Sequence, residues 1–126
     1  MFEIAIEAEF CAAHALVIAG EREPLHGHNW RVTAVIAGAE LDGDGLLVDF
    51  HAARKVLGEI LAPWNNGNLN EIPPFDTVNP SAEQVAKEIA ERLAEQLGPI
   101  LANGACVASV TVTEAPGCRA TYRMGN

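Results

Sequence analysis

The sequence predicts an α+β domain, an antiparallel sheet with two helices on one face, and three observations lead there. Apolar and polar residues alternate near the start of the chain and β-branched runs recur near its end. Two central segments carry apolar side chains at helical spacing. The elements run strand, strand, helix, helix, strand, strand. With 126 residues, 49% of them hydrophobic, the chain can bury one core but not two of ordinary size, so residues 1–126 are read as a single domain.

The first strand is the clearest. Phe2, Ile4, Ile6, Ala8 and Phe10 alternate with Glu3, Ala5, Glu7 and Glu9, the period of a strand with one wet face. Residues 29–37, rich in Val32, Thr33, Val35 and Ile36 and ended by Gly38, form a second strand antiparallel to the first. Residues 11–25 between them are expected as a long loop, and long loops in small domains tend to be functional. A turn-rich stretch follows to Gly45. Asp49 then caps a helix to Leu61, with Ala53, Val56, Leu57, Ile60 and Leu61 on one stripe.

Residues 62–80 hold four of the seven prolines and a cluster of asparagines, so no regular element is expected there. Ser81 and Gln84 form a capping box for the next helix. Its buried face is Val85, Ile89, Leu93 and Leu97, and Gly98-Pro99 ends it. Strands at 105–115 and 120–124, joined by the turn dipeptide Pro116-Gly117, complete the order. One sheet face lacks a cover within one chain, which points to a homo-oligomer formed through the sheet.

Composition narrows the function. A net charge of −9 with only eight scattered Lys and Arg excludes nucleic acid and anionic membrane surfaces as partners, since both are held by clustered cations. No run of apolar residues is long enough to span a membrane, and Met1 to Phe10 lacks the pattern of a secretory leader, so a cytoplasmic protein is expected. Cys11, Cys106 and Cys118 are odd in number and widely spaced, which fits reduced, mostly buried thiols.

Three of the four histidines fall within fifteen residues around the junction of the first two strands. His26 and His28 are two apart on a strand and share a face. Antiparallel pairing brings His14, just past the first strand, beside them. Three neutral imidazoles leave one position of a zinc tetrahedron open, as catalytic zinc requires. His51, near a helix start, is read as solvated.

Six motifs in register then give the chain a resemblance. Phe10-Cys11-Ala12-Ala13-His14, His26-Gly27-His28-Asn29-Trp30, Gly45-Leu46-Leu47-Val48-Asp49-Phe50, Leu69-Asn70, Asn79-Pro80-Ser81-Ala82-Glu83 and Val110-Thr111-Val112-Thr113-Glu114 resemble the 6-pyruvoyltetrahydropterin synthase / 6-carboxytetrahydropterin synthase family. The resemblance implies a tunnelling fold (T-fold), whose subunits close a β-barrel as a hexamer made of two trimers, with sites at subunit interfaces. It also implies Zn2+ on His14, His26 and His28, and a small-molecule pterin substrate held by Glu114. A carboxylate at the end of an apolar strand face is costly unless hydrogen-bonded, and its two oxygens match the two N–H donors of an aminopyrimidine edge.

Two departures from the family pattern follow. The position four before the first histidine of His-Gly-His, a cysteine in most members, is Arg22. Glu23-Pro24-Leu25-His26-Gly27-His28 instead resembles the Glu-x-x-His-Gly-His subgroup, which cleaves the side chain of 7,8-dihydroneopterin triphosphate to give 6-hydroxymethyl-7,8-dihydropterin for folate synthesis. That implies Glu23 as general base. The family's Asp-His proton relay aligns with Asn65 and Asn66, amides that orient a hydroxyl or water but do not shuttle protons at neutral pH. The alternatives are 6-pyruvoyl- or 6-carboxytetrahydropterin synthase activity, or a catalytically silent pterin-binding protein. Arg22, Lys55, Arg119 and Arg123 are the candidate partners of a triphosphate.

Overall fold

The computed structural model describes residues 1–125. Strands β1 (Phe2–His14) and β4 (His26–Gly38) pair antiparallel along their whole length, from Phe2 opposite Gly38 to His14 opposite His26. Alternation does not stop at Phe10, where the sequence reading ended the strand. Ala12 and His14 continue the buried face, while Cys11 turns outward. Small residues at 11–13 carry too little hydrophobic contrast to show that period in the sequence. The expected loop is therefore shorter, and it contains a two-rung hairpin of β2 (Val17–Ile18) and β3 (Glu21–Arg22). Ala19 and Gly20 close it, both at positive φ (52° and 80°), the backbone that matches tight hairpin twist.

Helix α1 (Phe50–Leu61) starts where expected, with the Asp49 carboxylate accepting from His51 N–H. Residues 62–80 hold only short 3₁₀ turns and the two-residue strand β5 (Gly67–Asn68), yet they pack: Trp64, Leu69 and Phe75 are buried. Trp64 sits edge-on to Phe10 and Phe75, with the Arg92 guanidinium 5.5 Å from its ring centre. Helix α2 (Ala82–Leu97) buries Val85, Ile89, Leu93 and Leu97 as expected. Half of its capping box forms. Ser81 Oγ accepts from Gln84 N–H, but Ser81 N–H donates to the Asn79 carbonyl instead of to Gln84.

Strands β6 (Cys106–Ala115) and β7 (Cys118–Arg123) finish the sheet, whose order is β5-β1-β4-β6-β7. Both helices lie on one face, α1 over β1 and α2 over β6 and β7. Ile6, Phe10, Trp30, Val32, Ile36, Val110 and Val112 meet them, each almost fully buried. A buried side chain of this size contributes about 1.5–3 kcal/mol, so the sheet–helix interface supplies the main stabilisation. This is the α+β arrangement the sequence predicts.

The opposite face carries Glu3, Glu7, Glu9 and Arg31, all exposed. No element among the described residues covers it. Two edges are also open: β7 has one neighbour, and β5 covers β1 only at Ala12 and Ala13. The thiols correct the expectation of burial. Cys11, Cys106 and Cys118 are all free and exposed, because Cys11 lies on the outward face of β1 and the others begin β6 and β7. Among the described residues, no helix is long and apolar enough to cross a membrane.

Candidate metal centre

The register of β1 and β4 builds the site. His14 ends the buried face of β1 after Phe10 and Ala12; His26 and His28 begin the corresponding face of β4 ahead of Trp30. His14 lies opposite His26, and Ala12 opposite His28. The three rings converge at one end of the sheet, with centroids 4.7, 5.1 and 4.8 Å apart and one ring nitrogen from each within 4.8 Å of the others. Trp30 braces them: its ring stacks on Phe10 at 5.7 Å, stands edge-on to His14 and His28, and its indole N–H donates to the Ala12 carbonyl at 3.1 Å.

Hydrogen bonds to backbone carbonyls orient two of the rings. His14 Nδ1 lies 2.8 Å from the Pro80 carbonyl and His26 Nδ1 2.9 Å from that of Pro24. A carbonyl only accepts, so each Nδ1 carries a proton, and in the neutral imidazole Nε2 is the nitrogen that presents a lone pair. Such an outer bond is how metal-ligating histidines are held. Burial lowers the pKa of His28, aided by the neighbouring His14 and His26, while Glu114 and Glu23 oppose the shift only in part. Its imidazole is thereby biased to the neutral, ligating form.

The site fits a cation. His14 Nε2 and His28 Nε2 are buried without a hydrogen-bond partner, an arrangement that costs about 1–3 kcal/mol per group and that a metal ion removes. Glu114 Oε1 stands 3.0 Å from His14 Nε2 and 3.8 Å from His28 Nε2. The closer approach is within ion-pair distance, but with the proton of a neutral His14 on Nδ1 it is not a hydrogen bond. In the neutral imidazole a lone pair therefore faces a carboxylate oxygen, a repulsion relieved when the lone pair is donated to a cation held by the three histidines. Three imidazole nitrogens are a donor set suited to zinc among the common divalent ions.

Two carboxylates flank the histidines. Glu23 Oε1 accepts from Leu16 N–H at 3.0 Å and lies 3.7 Å from His26 Nε2. Glu114, on the same face of β6 as Val110 and Val112, lines two open cavities. One, of about 530 Å3, is shared with His28, Arg31 and Pro116. The other, of about 450 Å3, is shared with Glu83, Arg119 and Thr121. Glu83 is thus a second acidic group lining a cavity with Glu114, a placement that its position in the Asn79-Pro80-Ser81-Ala82-Glu83 motif does not signal.

The remaining candidates lie further out. Asn65 Oδ1 accepts from Cys11 N–H at 2.9 Å, so this side chain docks the 62–80 segment on the edge of β1. Asn66, at φ 61°, donates its backbone N–H to Cys11 O and lines a cleft of about 420 Å3 with Cys11, Asn29 and His28. The Cys11 thiol donates to Asn29 Oδ1 on the outward face of the sheet. His51 is solvated as expected, its side chain 95% exposed. Sequence reasoning missed Pro24 and Pro80, whose carbonyls fix the histidine tautomers. A backbone acceptor 66 residues from His14 leaves no sequence signal beyond the Asn79-Pro80 motif.

A family model described as 6-pyruvoyl tetrahydropterin synthase matches residues 3–125. The 6-carboxy-5,6,7,8-tetrahydropterin synthase of Bacillus subtilis is 30% identical over 128 residues, covering 97% of this chain and 85% of that protein. The dihydroneopterin monophosphate aldolase of Pyrococcus furiosus is 36% identical over 94 residues, covering 75% of this chain and 76% of that protein. Among solved structures, the 6-pyruvoyl tetrahydropterin synthase of Caenorhabditis elegans superposes with a TM-score of 0.83 at 22% identity, covering 98% and 96% of the two chains. That of Plasmodium vivax gives 0.82 at 22% identity, covering 99% and 98%. At such identities the structures establish the fold, and the tunnelling-fold expectation is met.

Proposed function

We propose, from the premise that this chain belongs to the 6-pyruvoyl tetrahydropterin synthase family, that it is a zinc-dependent carbon–carbon lyase acting on the side chain of a phosphorylated 7,8-dihydroneopterin. The triphosphate is the substrate the sequence motif implies, and the similarity to an aldolase named for the monophosphate keeps both in view. The product is 6-hydroxymethyl-7,8-dihydropterin. The observation that carries this reading is Glu23, a carboxylate held at the histidine cluster by the Leu16 amide, next to Arg22 where most members have a cysteine.

The chemistry follows from the placement of these groups. His14, His26 and His28 would hold the zinc, which would supply a Lewis acid toward a side-chain hydroxyl. Glu23 accepts the proton of the C2′ hydroxyl; the C1′–C2′ bond breaks, its electron pair passing into the dihydropterin C6=N5 unit. Return of a proton to C1′ gives the 6-hydroxymethyl product, and C2′ leaves as the aldehyde carbon of glycolaldehyde phosphate, or of its triphosphate. Glu114 holds the aminopyrimidine edge through its two oxygens. Its position in the cavity it shares with His28, and in the neighbouring one lined by Arg119, supports that role. Arg119, which lines one of them, is a candidate partner for phosphate.

A homo-oligomer, a hexamer of two trimers, accords with the open edges at β1 and β7 and with the uncovered acidic face. One observation favours a second reading, a silent pterin-binding homologue. At the positions of the family's acid–base pair stand two amides, and the side-chain oxygen of Asn65 is engaged with the backbone of β1. The test is direct. The zinc-loaded protein is incubated with the mono- and triphosphate of 7,8-dihydroneopterin and the products are separated. Release of 6-hydroxymethyl-7,8-dihydropterin, reduced about 10²–10⁴-fold in Glu23→Gln, is expected. Elimination of phosphate without carbon–carbon cleavage, or tight binding without turnover, overturns the reading.

A further inference from the structure

Glu23 is fixed by a segment that is itself gripped from the other side. Leu16 N–H donates to Glu23 Oε1 at 3.0 Å, and the Leu16 carbonyl accepts from Glu23 N–H at 2.9 Å. The residues on either side of Leu16 are bound by two side-chain amides. Ala15 N–H donates to Asn70 Oδ1 and the Ala15 carbonyl accepts from Asn70 Nδ2, both at 2.8 Å. Val17 N–H donates to Asn79 Oδ1 at 2.9 Å and its carbonyl accepts from Asn79 Nδ2 at 3.0 Å.

Each asparagine thus reproduces the paired N–H and C=O of one residue in a neighbouring antiparallel strand. Residues 15–17 are held like a strand with amide clamps on one edge and Glu23 on the other. The clamps are anchored in turn: Asn70 N–H donates to Asn68 Oδ1, and the Asn79 carbonyl accepts from Ser81 N–H at the start of α2. The carbonyl of Pro80, the residue after Asn79, accepts the hydrogen bond from His14 Nδ1–H. One short stretch therefore fixes both the metal-facing ring and the turn that carries the base.

We propose that Asn70 and Asn79 are positioning residues for proton transfer, their amides clamping Ala15 and Val17 so that the Leu16 amide presents the Glu23 carboxylate to the histidine cluster. This rests on Glu23 being the base. The alternative is that the clamps fasten the loop and do nothing for the reaction. Asn70 is half-buried and Asn79 exposed, so water competes with the second clamp more than with the first. The larger effect belongs to Asn70.

The test uses Asn70→Asp and Asn79→Asp, alone and combined with Glu23→Gln, in the metal-loaded protein. Aspartate keeps the acceptor and the size but loses the donor and sets an oxygen against the Ala15 or Val17 carbonyl. With a phosphorylated 7,8-dihydroneopterin, kcat falls about tenfold or more for Asn70→Asp while KM stays within about twofold, since misplacing a reacting group by a fraction of an ångström acts on the chemical step. Amide hydrogen exchange at Leu16 and Glu23 accelerates, and exchange at Ile89 in α2 does not. In the Glu23→Gln background, Asn70→Asp lowers kcat no further.

Losses that multiply in the double variant, or unchanged exchange at Leu16 and Glu23, overturn the proposal. If Asn70→Asp does not fold, Asn79→Ala at its exposed position carries the same comparison. Full turnover in Glu23→Gln overturns the functional reading and with it the catalytic part of the inference. Exchange at Leu16 still decides whether the clamp holds the turn.

Discussion

His14 and His26 face each other across the last rung of the β1–β4 ladder, their ring centroids 4.7 Å apart and each Nδ1 bonded to a proline carbonyl. Strand pairing sets the distance, and the carbonyls set which nitrogen looks inward. The pair is therefore preorganised for a cation before one arrives.

Stoichiometric zinc is the first expected outcome, measured by elemental analysis of the purified protein. His26→Ala and His28→Ala each lose it under dialysis against a chelator that leaves the parent loaded. Because the three histidines come from both long strands, zinc should bind only the folded chain and raise its melting temperature.

The metal-free protein should lose stability as pH falls. Burial depresses the His28 pKa below its ordinary value of about 6.5, so below that pH the unfolded chain binds a proton that the folded one resists. The stabilising difference is fully present above the ordinary value and disappears as pH drops through the folded one. Urea melts of chelator-treated protein between about pH 7.5 and pH 5 check this, and a His28→Asn variant has the shallower dependence.

Trp30 is fully buried, stacked on Phe10 and braced against two histidines. Truncation in Trp30→Ala removes that packing and costs about 3–5 kcal/mol in urea unfolding. Trp30→Phe keeps a ring but leaves the Ala12 carbonyl without its indole donor, a hydrogen bond worth about 1 kcal/mol. A loss of zinc affinity beyond the loss of stability in either variant marks the brace on the rings.

Glu114→Gln keeps the shape of the anchor and removes its charge. One oxygen becomes an NH2 group that faces the donors of the pterin edge. KM should rise about 10–100-fold, the scale of a charge-assisted hydrogen bond lost and left unpaired. Zinc content, read on the same sample, stays at the parent level; a fall in zinc with no change in KM would assign Glu114 to the metal instead.

Much of this architecture can be read from the residues. The Glu-apolar alternation of residues 2–10, the Asp49 and Ser81 caps and the apolar stripes of both helices each express one local rule, and each element forms. His14, His26 and His28 meet because strand period and antiparallel pairing are enough to bring them together. Long-range side-chain to backbone bonding was not legible. Asn70 and Asn79 reach residues 55 and 62 positions away, and nothing in their neighbours reports it. Strand β1 ran past its expected end because alanines have no strong polarity to alternate. The thiols proved exposed because cysteine chemistry does not state which strand face it occupies.

The last rung of the ladder has a further meaning for how the chain matures. Shifting β1 by one position against β4 would turn His14 to the opposite side of the sheet from His26 and His28, and a cation would then find two ligands instead of three. A metal held by all three histidines would thus report the alignment of the two longest strands. A single residue inserted between Ile6 and His14 would have the same effect, turning His14 away from the other two rings while leaving the helix-covered part of the sheet in register.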